Sequence, residues 1–407
     1  MNYLSWVSIV RLGLVQLCLG AVVVLTTSTL NRLMVVELAL PAVLPGLLVG
    51  LHYAVQITRP NWGFLSDSGG NCTRFIVLGM TALALGGFLA ALGFVVMAGA
   101  YWAGLAISIA AYALIGVGVG ASGTSLLALL ATSTHPRRRA AAATITWLMM
   151  IFGIAVTATV VGKLLDPYSP ALLLKLVGGV GVLVVAVTGL AIWGIERRHG
   201  GVAQPQTAPQ SFRAGMAEIW AEPRARHFTL FIFLSMVAYF MQELILEPYA
   251  GLAFGLTPGQ STQLSGAQNG GVFFGMLTVG IAATGLRIGS LRVWVMVGCM
   301  GSAAALLAIA LAGQVPGGIA VLQPAIMALG LFNGMFAVAA IGSMMALAGE
   351  GREEREGTRM GLWGASQAIA AGAGGLIGAA LVDVARHLTD TATAFGLVFT
   401  LEAGIFA

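Results

Sequence analysis

Charged side chains are scarce in this sequence. Asp, Glu, Lys and Arg make up only 9% of its 407 residues, whereas hydrophobic residues make up 58%. Because ordinary soluble domains carry about 25% charged residues, this scarcity excludes a soluble globular protein of the usual kind. Together with a mean hydropathy of +0.93, it predicts an integral membrane protein.

Cysteine is rare, and the motifs of common enzyme classes are missing. The three cysteines, Cys18, Cys72 and Cys299, are scattered without CxxC or Cys/His spacing, so they favour neither a disulfide framework nor a zinc site. The sequence contains no GxxxxGK[ST] or HExxH motif and no plausible nucleophile triad. This argues against an ATPase, a protease or an acyl transferase, and we expect no catalytic residues and no metal site.

The chain instead contains a series of long apolar runs. A helix that crosses a bilayer needs about 20 predominantly apolar residues, so a chain of this length has room for about 12 spans. The predicted spans cover residues 12–38, 42–64, 75–98, 101–131, 140–162, 171–195, 227–255, 265–286, 292–313, 317–348, 358–384 and 392–407.

A polar segment divides these runs into two halves. Residues 196–226 carry charge, Pro and Gln at a density found nowhere else in the sequence, which is typical of a linker. The prediction is an all-α integral membrane fold, with one bundle over 1–195, a cytoplasmic linker over 196–226 and a second bundle over 227–407. Each bundle has about six helices, and the last helix is expected to be incomplete.

Positive charge lies mostly on one side of the predicted membrane. The opposite side has only Lys163 and Arg386, while Arg32 and Lys175 are ambiguous. By the positive-inside rule, both termini and the linker are expected in the cytoplasm. This distribution explains the net charge of +5 without a nucleic-acid partner. The residues on the basic side are Arg11, Arg59, Arg74, Arg137, Arg138, Arg139, Arg197, Arg198, Arg213, Arg224, Arg226, Arg287, Arg292, Arg352, Arg355 and Arg359.

The two halves resemble each other in sequence. The glycine of the segment Gly63 to Asp67 aligns with that of Gly280 to Thr284, both at the cytoplasmic end of a second span. Two such halves in parallel repeat are typical of the major facilitator architecture.

A cytoplasmic motif loop is predicted in the first half. It comprises Arg59, Gly63, Asp67 and Arg74 and resembles the superfamily's loop between the second and third helices. The usual basic pair is missing, and the second copy has Thr284 in place of the acid. Both departures weaken the case for a standard gating loop.

The first span contains three strongly polar residues in the run LTTSTLNRLMVVELALP. Asn31, Arg32 and Glu37 interrupt an otherwise apolar segment, and a charge at the centre of a membrane helix costs about 2.5 to 3.5 kcal/mol. These side chains are therefore expected to face protein, a water-filled cavity or the membrane rim. The alternative is that Arg32 and Glu37 lie near the helix end, where their polar groups reach the headgroups.

A polar stripe is predicted on the second span. His52, Gln56 and Arg59 are spaced i, i+4, i+7 and so share one helical face. A neutral imidazole is a common metal ligand and suits the magnesium of a chlorin, which a Gln oxygen could also bind. The alternative is that His52 hydrogen-bonds a neighbouring helix and Arg59 belongs to the cytoplasmic loop.

The seventh span carries two acids. Glu243 and Glu247 follow Tyr239 at four-residue spacing, so they could carry a proton, bind a cation or pair with Arg32. For Glu247, which precedes Pro248, the alternative is that it only marks the end of the helix.

The segments VVVLTTSTLNRLMVVELALPAVLPG and LHYAVQITRPNWGFLSD, at residues 22–46 and 51–67, resemble the PucC/LhaA, or bacteriochlorophyll delivery, family of the major facilitator superfamily. Within it the likeness is greatest to the branch labelled as a chain of bacteriochlorophyll synthase. The most specific part is TLNRxMxVEL, and the resemblance covers essentially the whole chain.

This resemblance implies a role in phototrophic bacteria, without catalysis. The chain would assemble light-harvesting complexes in the intracytoplasmic photosynthetic membrane and hand over bacteriochlorophyll or a late precursor, held as a bound pigment. The implied partners, besides membrane lipid, are the prenyl-attaching bacteriochlorophyll synthase and geranylgeranyl reductase, or light-harvesting polypeptides.

Two classes of function remain open from the sequence. In the first, a site for the pigment headgroup is shaped by polar residues in the spans, with no axial ligand assigned. In the second, the chain is a proton-coupled secondary transporter of a small solute, with Glu243 or Glu37 carrying protons. A scaffold that binds neither ligand is a third reading. The candidate pigment-binding residues are Asn31, Arg32, Glu37, His52, Gln56 and Glu243.

Overall fold

A computed structural model describes residues 3–59, 62, 72–135, 138–196, 223–285, 288–349 and 356–407. All regular secondary structure in these ranges is helical. Eight helices of the described chain are long and apolar enough to cross a membrane. The predicted all-α membrane fold is therefore confirmed, and the chain is a multi-pass membrane protein.

The helices before the predicted linker follow the predicted spans closely. Helix α1 is continuous with α2 through a π-helical segment, Leu25–Thr29, and α3 ends in a short 3₁₀ turn, Gln56–Thr58. The bounds are α1 Trp6–Val24, α2 Leu30–Val36, α3 Val43–Val55, α4 Cys72–Met97, α5 Tyr101–Ser133, α6 Arg139–Leu164 and α7 Pro170–Ile192.

The helices after it agree less well at one place. The predicted seventh span, 227–255, is divided between two helices, and a second π-helical segment, Gly280–Gly285, extends the eighth. The bounds are α8 Pro223–Met241, α9 Leu246–Phe254, α10 Pro258–Val279, α11 Leu291–Ala312, α12 Ile319–Gly349, α13 Glu356–Arg386 and α14 Thr391–Phe406.

The break between α8 and α9 has a local cause. Pro248 is the third residue of α9, a position in the first turn where its missing N–H costs no helical bond. Were the helix continuous, the proline ring would meet the carbonyl of Leu244 and leave that carbonyl unpaired. The predicted span at 227–255 is therefore interrupted, and Glu243 and Glu247 do not lie on one continuous helix.

The chain forms two compact units. The first comprises Met1–Ala203 with Glu247–Asn269, and the second comprises Gln204–Leu246 with Gly270–Ala407. Most of the predicted linker, residues 197–222, lies outside the described residues. The division at 196–226 therefore stays a prediction.

Close helix contacts within each unit depend on glycine. In the first unit, a Cβ added at Gly79 of α4 would lie 2.5 Å from the backbone nitrogen of Ser122 in α5. In the second unit, a Cβ at Gly378 of α13 would lie 2.5 Å from the carbonyl oxygen of Met241 in α8. Small residues at these positions let the helix backbones approach each other closely.

Candidate functional site

The π-helical segment Leu25–Thr29 is fully buried, although four of its five residues are polar. The hydroxyl groups of Thr26 and Thr27 donate to the carbonyl of Val23, at 2.8 and 3.1 Å. Tyr112 of α5 donates its hydroxyl to the carbonyl of Thr26 at 2.8 Å. The hydroxyls of Thr26 and Thr27 and the carbonyl of Thr26 are thus hydrogen-bonded, as burial requires.

Arg32, which follows this segment, lies in a partly buried ion pair. Its Nη1 is 2.5 Å from Oε1 of Glu37, and its Nη2 donates to the carbonyl of Leu256 at 2.8 Å. Arg32 is only 2% exposed, whereas Glu37 is 38% exposed. The guanidinium therefore faces protein, and Glu37, at the end of α2, forms the accessible end of the pair.

Glycine makes room for this guanidinium. A Cβ added at Gly251 of α9 would lie 3.2 Å from Nη2 of Arg32 and 3.0 Å from a methyl carbon of Val36. The α9 backbone therefore passes directly beside the ion pair. Asn31, the neighbour of Arg32, is completely buried.

A tyrosine outside the helices lies near the exposed end of the pair. Tyr168 is half-buried in the connection between α6 and α7. Its partial burial, with a smaller contribution from the negative charge of Glu37, raises its pKa to about 12, while Arg32 acts in the opposite direction. The phenol therefore stays protonated at neutral pH and remains a hydrogen-bond donor.

A second polar cluster lies within the same unit. Ser28 donates its hydroxyl to Oε1 of Glu247, and its Oγ is 2.5 Å from that of Ser265 in α10. The hydroxyls of Thr29, the next residue after Ser28, and Thr262, one helical turn before Ser265, are 3.2 Å apart. Glu247 is only 2% exposed, so the π-helical segment, α9 and α10 enclose a buried carboxyl among hydroxyl groups.

The sequence interpretation missed this cluster. The sequence predicts Glu247 either as one of two acids that could carry a proton, bind a cation or pair with Arg32, or as a helix end, without hydroxyl partners. The hydroxyl-rich runs TTST and STQ, at 26–29 and 261–263, are a signal in the sequence. They did not indicate that the two runs face each other, because such pairing depends on tertiary packing.

The residues of the predicted stripe form a chain of contacts from the last turn of α3 to Arg59. Arg59 donates to Oε1 of Gln56, and the Nε2 of Gln56 lies 3.0 Å from Nε2 of His52. Because an amide nitrogen only donates, these contacts assign the acceptor role to Nε2 of His52 and the proton to Nδ1. Neither ring nitrogen then offers a free lone pair, so magnesium binding by His52 would require Gln56 to turn away.

Glu243 lies apart in the sequence from the other candidates and belongs to the second unit. It occupies the turn between α8 and α9, where its backbone N–H donates to the carbonyl of Phe240 at 3.2 Å. Asn31, Arg32, Glu37, His52 and Gln56 all belong to the first unit. A shared site of all six residues stays a prediction.

The predicted motif loop is only partly visible. Gly63 and Asp67 lie outside the described residues, while Arg74 is exposed on the first turn of α4. Arg59 contacts Gln56, as described above. The gating role of this loop therefore stays a prediction.

An unpredicted carboxylate caps the first turn of α4. Oε1 and Oε2 of Glu196 accept hydrogen bonds from the backbone nitrogens of Cys72 and Thr73, at 2.7 and 2.8 Å. Negative charge at a helix N-terminus is favourable because of the free N–H groups and the helix dipole. Glu196 therefore ties the end of the segment after α7 to the start of α4.

Comparison with known proteins places this arrangement in a family. The profile described as PUCC protein matches residues 29–407. The chain is 66% identical over 403 residues to the "Bacteriochlorophyll synthase 44.5 kDa chain" of Rhodobacter capsulatus, covering 99% of this chain and 94% of that protein. It is also 29% identical to "Protein PucC" of Cereibacter sphaeroides, covering 97% and 89% of the two chains.

Solved structures show the same fold at low sequence identity. The nucleoside transporter NupG matches with a TM-score of 0.71 at 12% identity, covering 98% of this chain and 96% of that one. The peptide transporter POT in complex with sulfate matches with a TM-score of 0.71 at 15% identity, covering 98% and 93%. These similarities confirm the predicted major facilitator fold, and at such identities they concern the fold alone.

Proposed function

Because the chain belongs to the PucC family, we propose that it is a membrane assembly factor that binds bacteriochlorophyll or a late precursor during biogenesis of light-harvesting complexes. The observation that carries this proposal is the 66% identity, over 99% of the chain, to a protein named as a bacteriochlorophyll synthase chain. In this role the protein holds and delivers pigment and does not transform it.

The Arg32–Glu37 pair is the best candidate for the contact with the pigment's polar ring. Glu37 is the accessible carboxylate of the pair, and Arg32 fixes its position at 2.5 Å. Carboxylate oxygen is a suitable ligand for magnesium, and the nearby Tyr168 hydroxyl can donate to a ring carbonyl. Bound pigment would supply the magnesium and the large apolar surface, while these residues orient it.

His52 and Gln56 fit a supporting role better than a ligand role. Both are buried, and the 3.0 Å contact between them occupies Nε2 of His52. Asn31 is likewise buried. These three residues would therefore line the protein interior and would not contact the pigment ring directly. Glu243, in the other unit, is a further candidate for the pigment headgroup.

The proposed partners are proteins that supply or receive the pigment. These are the prenyl-attaching bacteriochlorophyll synthase and geranylgeranyl reductase on the supply side, and light-harvesting polypeptides on the receiving side. The proposed location is the bacterial photosynthetic inner membrane, with both termini in the cytoplasm, where the basic loops favour retention.

Gentle extraction from a phototrophic membrane tests this proposal. The complex is purified through the full chain, its visible and near-infrared absorption is recorded, and co-purifying pigments and proteins are identified. We expect chlorin in stoichiometric amount, with a loss of at least tenfold in Glu37→Gln. Asp390→Asn, at an exposed residue, is the control and should keep the pigment.

The outcomes separate the site from the function. Pigment retained in Glu37→Gln but lost in His52→Ala or Glu243→Ala would reassign the contact. Pigment retained in all three variants would keep the function and reject every acidic or imidazole contact named here. A preparation without chlorin and without the expected partners would reject the function.

A proton-coupled transporter is the second candidate, favoured by the transporter fold of the solved relatives. Uptake of a solute into proteoliposomes, driven by an imposed proton gradient, distinguishes it from the first. Solute accumulation by pigment-free protein would support transport, whereas its absence across nucleoside and peptide substrates would count against it.

A further inference from the structure

Glu247 is a buried carboxyl that contacts hydroxyl groups but forms no ion pair with any described residue. It is 2% exposed, and the hydroxyl of Ser28 donates to its Oε1. Its Oε2 accepts no hydrogen bond from any described residue. An ionised carboxylate removed from water normally needs several donors or a paired cation, because burying an uncompensated charge is very costly.

The nearby cation is already paired. Arg32 uses Nη1 for Glu37 and Nη2 for the carbonyl of Leu256, at 2.5 and 2.8 Å. The Arg32–Glu37 pair is neutral by itself, so an ionised Glu247 would give the buried group a net negative charge. A neutral carboxylic acid at Glu247 leaves the whole group neutral.

The hydroxyl contacts also fit a proton better than a metal cation. The Oγ atoms of Ser28 and Ser265 are 2.5 Å apart, and Ser28 is in direct hydrogen-bond contact with Glu247. These oxygens therefore contact one another, whereas oxygens that surround a metal ion are held apart by it. A hydroxyl both donates and accepts, so Ser28 can bond either protonation state of Glu247.

We propose that Glu247, positioned by Ser28 and Ser265, is a buried proton-binding site in the first unit of this protein. Binding adds one proton from water to the carboxylate and forms a carboxylic acid, and release returns that proton to water. This inference goes beyond pigment handling and does not rest on it.

Among the described residues, few other titratable groups lie near this site. From α2 and the segment after it they are Arg32 and Glu37, and Tyr168 lies near that pair. Tyr249 is buried on the same helix as Glu247. In the connection after α9, Thr257 donates to Asp166 at 2.8 Å, and α10 carries no titratable side chain.

Arg32 connects the protonation state to the rest of the cluster. Gly251, one helical turn after Glu247, lies beside the guanidinium, since a Cβ there would be 3.3 Å from Nε of Arg32. Release of the proton leaves a negatively charged Glu247 on the same face of α9 as Gly251. A second carboxylate, besides that of Glu37, then lies close to Arg32. Arg32 then has two acidic partners, so proton release is expected to weaken its bond to Glu37.

Infrared difference spectroscopy of the purified full-length protein between acidic and alkaline buffers tests the proposal. We expect a carboxylic acid C=O band that disappears at alkaline pH and is missing at all pH values in Glu247→Gln. This variant retains an oxygen for the Ser28 hydrogen bond, so it should fold. Glu402→Gln, which changes a buried acid of the second unit, is the matched control and should leave this band in place.

Ser28→Ala gives a second test in a protein that keeps the acid. Loss of its hydrogen bond should shift the frequency of the same band and move its titration. A band that is unchanged in both Glu247→Gln and Ser28→Ala would overturn the proposal. So would a Glu247 carboxylate that stays ionised at every pH while sodium, but not potassium, raises the melting temperature, because a metal ion would then occupy the site.

Failure of this proposal is distinguishable from failure of the proposed function. Chlorin content is measured on the same preparations by absorption, and it does not depend on the infrared band. A pigment-loaded protein without the band rejects only the proton site, and the converse result rejects only pigment handling.

Discussion

Two buried glutamates, one in each unit, differ sharply in their surroundings. Glu247 is 2% exposed and bonded to Ser28. Glu402 of α14 is 0% exposed, and neither of its carboxyl oxygens has a hydrogen-bond partner among the described residues. The same side chain at similar burial is therefore held by polar groups in one unit and by apolar packing in the other.

The neighbours along α14 explain the second environment. Val398 and Phe399 lie one turn before Glu402, and Phe406 lies one turn after it, so they share its helical face, and all three are buried. The comparison shows that burial alone does not identify a functional acid. What distinguishes Glu247 is the set of hydroxyls and the adjacent ion pair that the fold brings to it.

Of the substitutions near Glu247 and Glu402, removal of Arg32 should have the largest effect on the free energy of unfolding. In Arg32→Met, Glu37 loses its cation and the carbonyl of Leu256 loses its donor. Breaking a buried pair costs about 3 kcal/mol or more, although the partial exposure of Glu37 reduces the cost. We expect a lower free energy of unfolding in denaturant titrations of the detergent-solubilised protein.

The control for this prediction is Arg386→Met, at an exposed arginine in the last turn of α13. Its effect should be close to zero. Equal stability of the two variants would show that the Arg32 pair contributes nothing beyond a surface charge.

Replacement of each buried glutamate by leucine should change stability in opposite directions. Glu247→Leu leaves the Ser28 hydroxyl without its acceptor and should destabilise by about 2 kcal/mol. Glu402→Leu removes an unsatisfied polar group from an apolar environment and should stabilise by about 1 kcal/mol. Thermal unfolding of both variants in the same detergent measures the difference, and destabilisation of similar size in both would remove the contrast.

Two glycine-to-alanine substitutions, one near each glutamate, should change stability by a smaller amount. Gly251→Ala places a methyl group 3.0 to 3.3 Å from Val36 and Arg32, and such overpacking should cost about 1 to 2 kcal/mol. Gly404→Ala, two residues after Glu402, meets nothing within 4 Å, so the higher helix propensity of alanine should stabilise by up to about 1 kcal/mol. Melting temperatures that move in the same direction would contradict this expectation.

The smallest effect on stability is expected from Asp390, at the start of α14. Oδ2 of Asp390 accepts a hydrogen bond from the backbone nitrogen of Thr393 at 3.1 Å, and hydrogen bonds from Thr393 lower the pKa of this carboxyl. A lowered pKa in the folded state means that the carboxylate stabilises the protein at neutral pH and that this contribution is lost as pH falls through the folded pKa.

Asp390→Asn tests the sign of this dependence. Asparagine is also a good N-cap but does not titrate, so the variant should lose part of the decline in stability at acidic pH. The measurement is the melting temperature of both proteins across acidic and neutral buffers. An identical pH profile would show that Asp390 makes no titratable contribution.

The sequence predicted those parts of the molecule that depend on local patterns. Apolar runs of about 20 residues predicted a span at 101–131, and the observed helix is Tyr101–Ser133. Four-residue spacing also placed His52 and Gln56 on one face of the second span, where they are in contact. The first inference needs only the length of an apolar run, and the second needs only the period of the helix.

The contacts between distant segments could not be predicted in this way. Ser28 and Glu247 are separated by 219 positions in the chain, and nothing in either local pattern specifies the partner. The cap that Glu196 forms on α4 is likewise a tertiary contact. The interruption before Pro248 was visible in the sequence, but the long apolar run on both sides favoured one span over two short helices.

The π-helical segment at Leu25–Thr29 changes which residues of the first span share a face in a helical-wheel projection. A wide turn of this kind accommodates one more residue than an α-helical turn, and one residue corresponds to about 100° of rotation. Residues 30–36 are therefore rotated relative to the face that Trp6–Val24 would predict. A helical wheel drawn continuously from Trp6 would assign Arg32 to the wrong side of the helix, so the two parts require separate wheels.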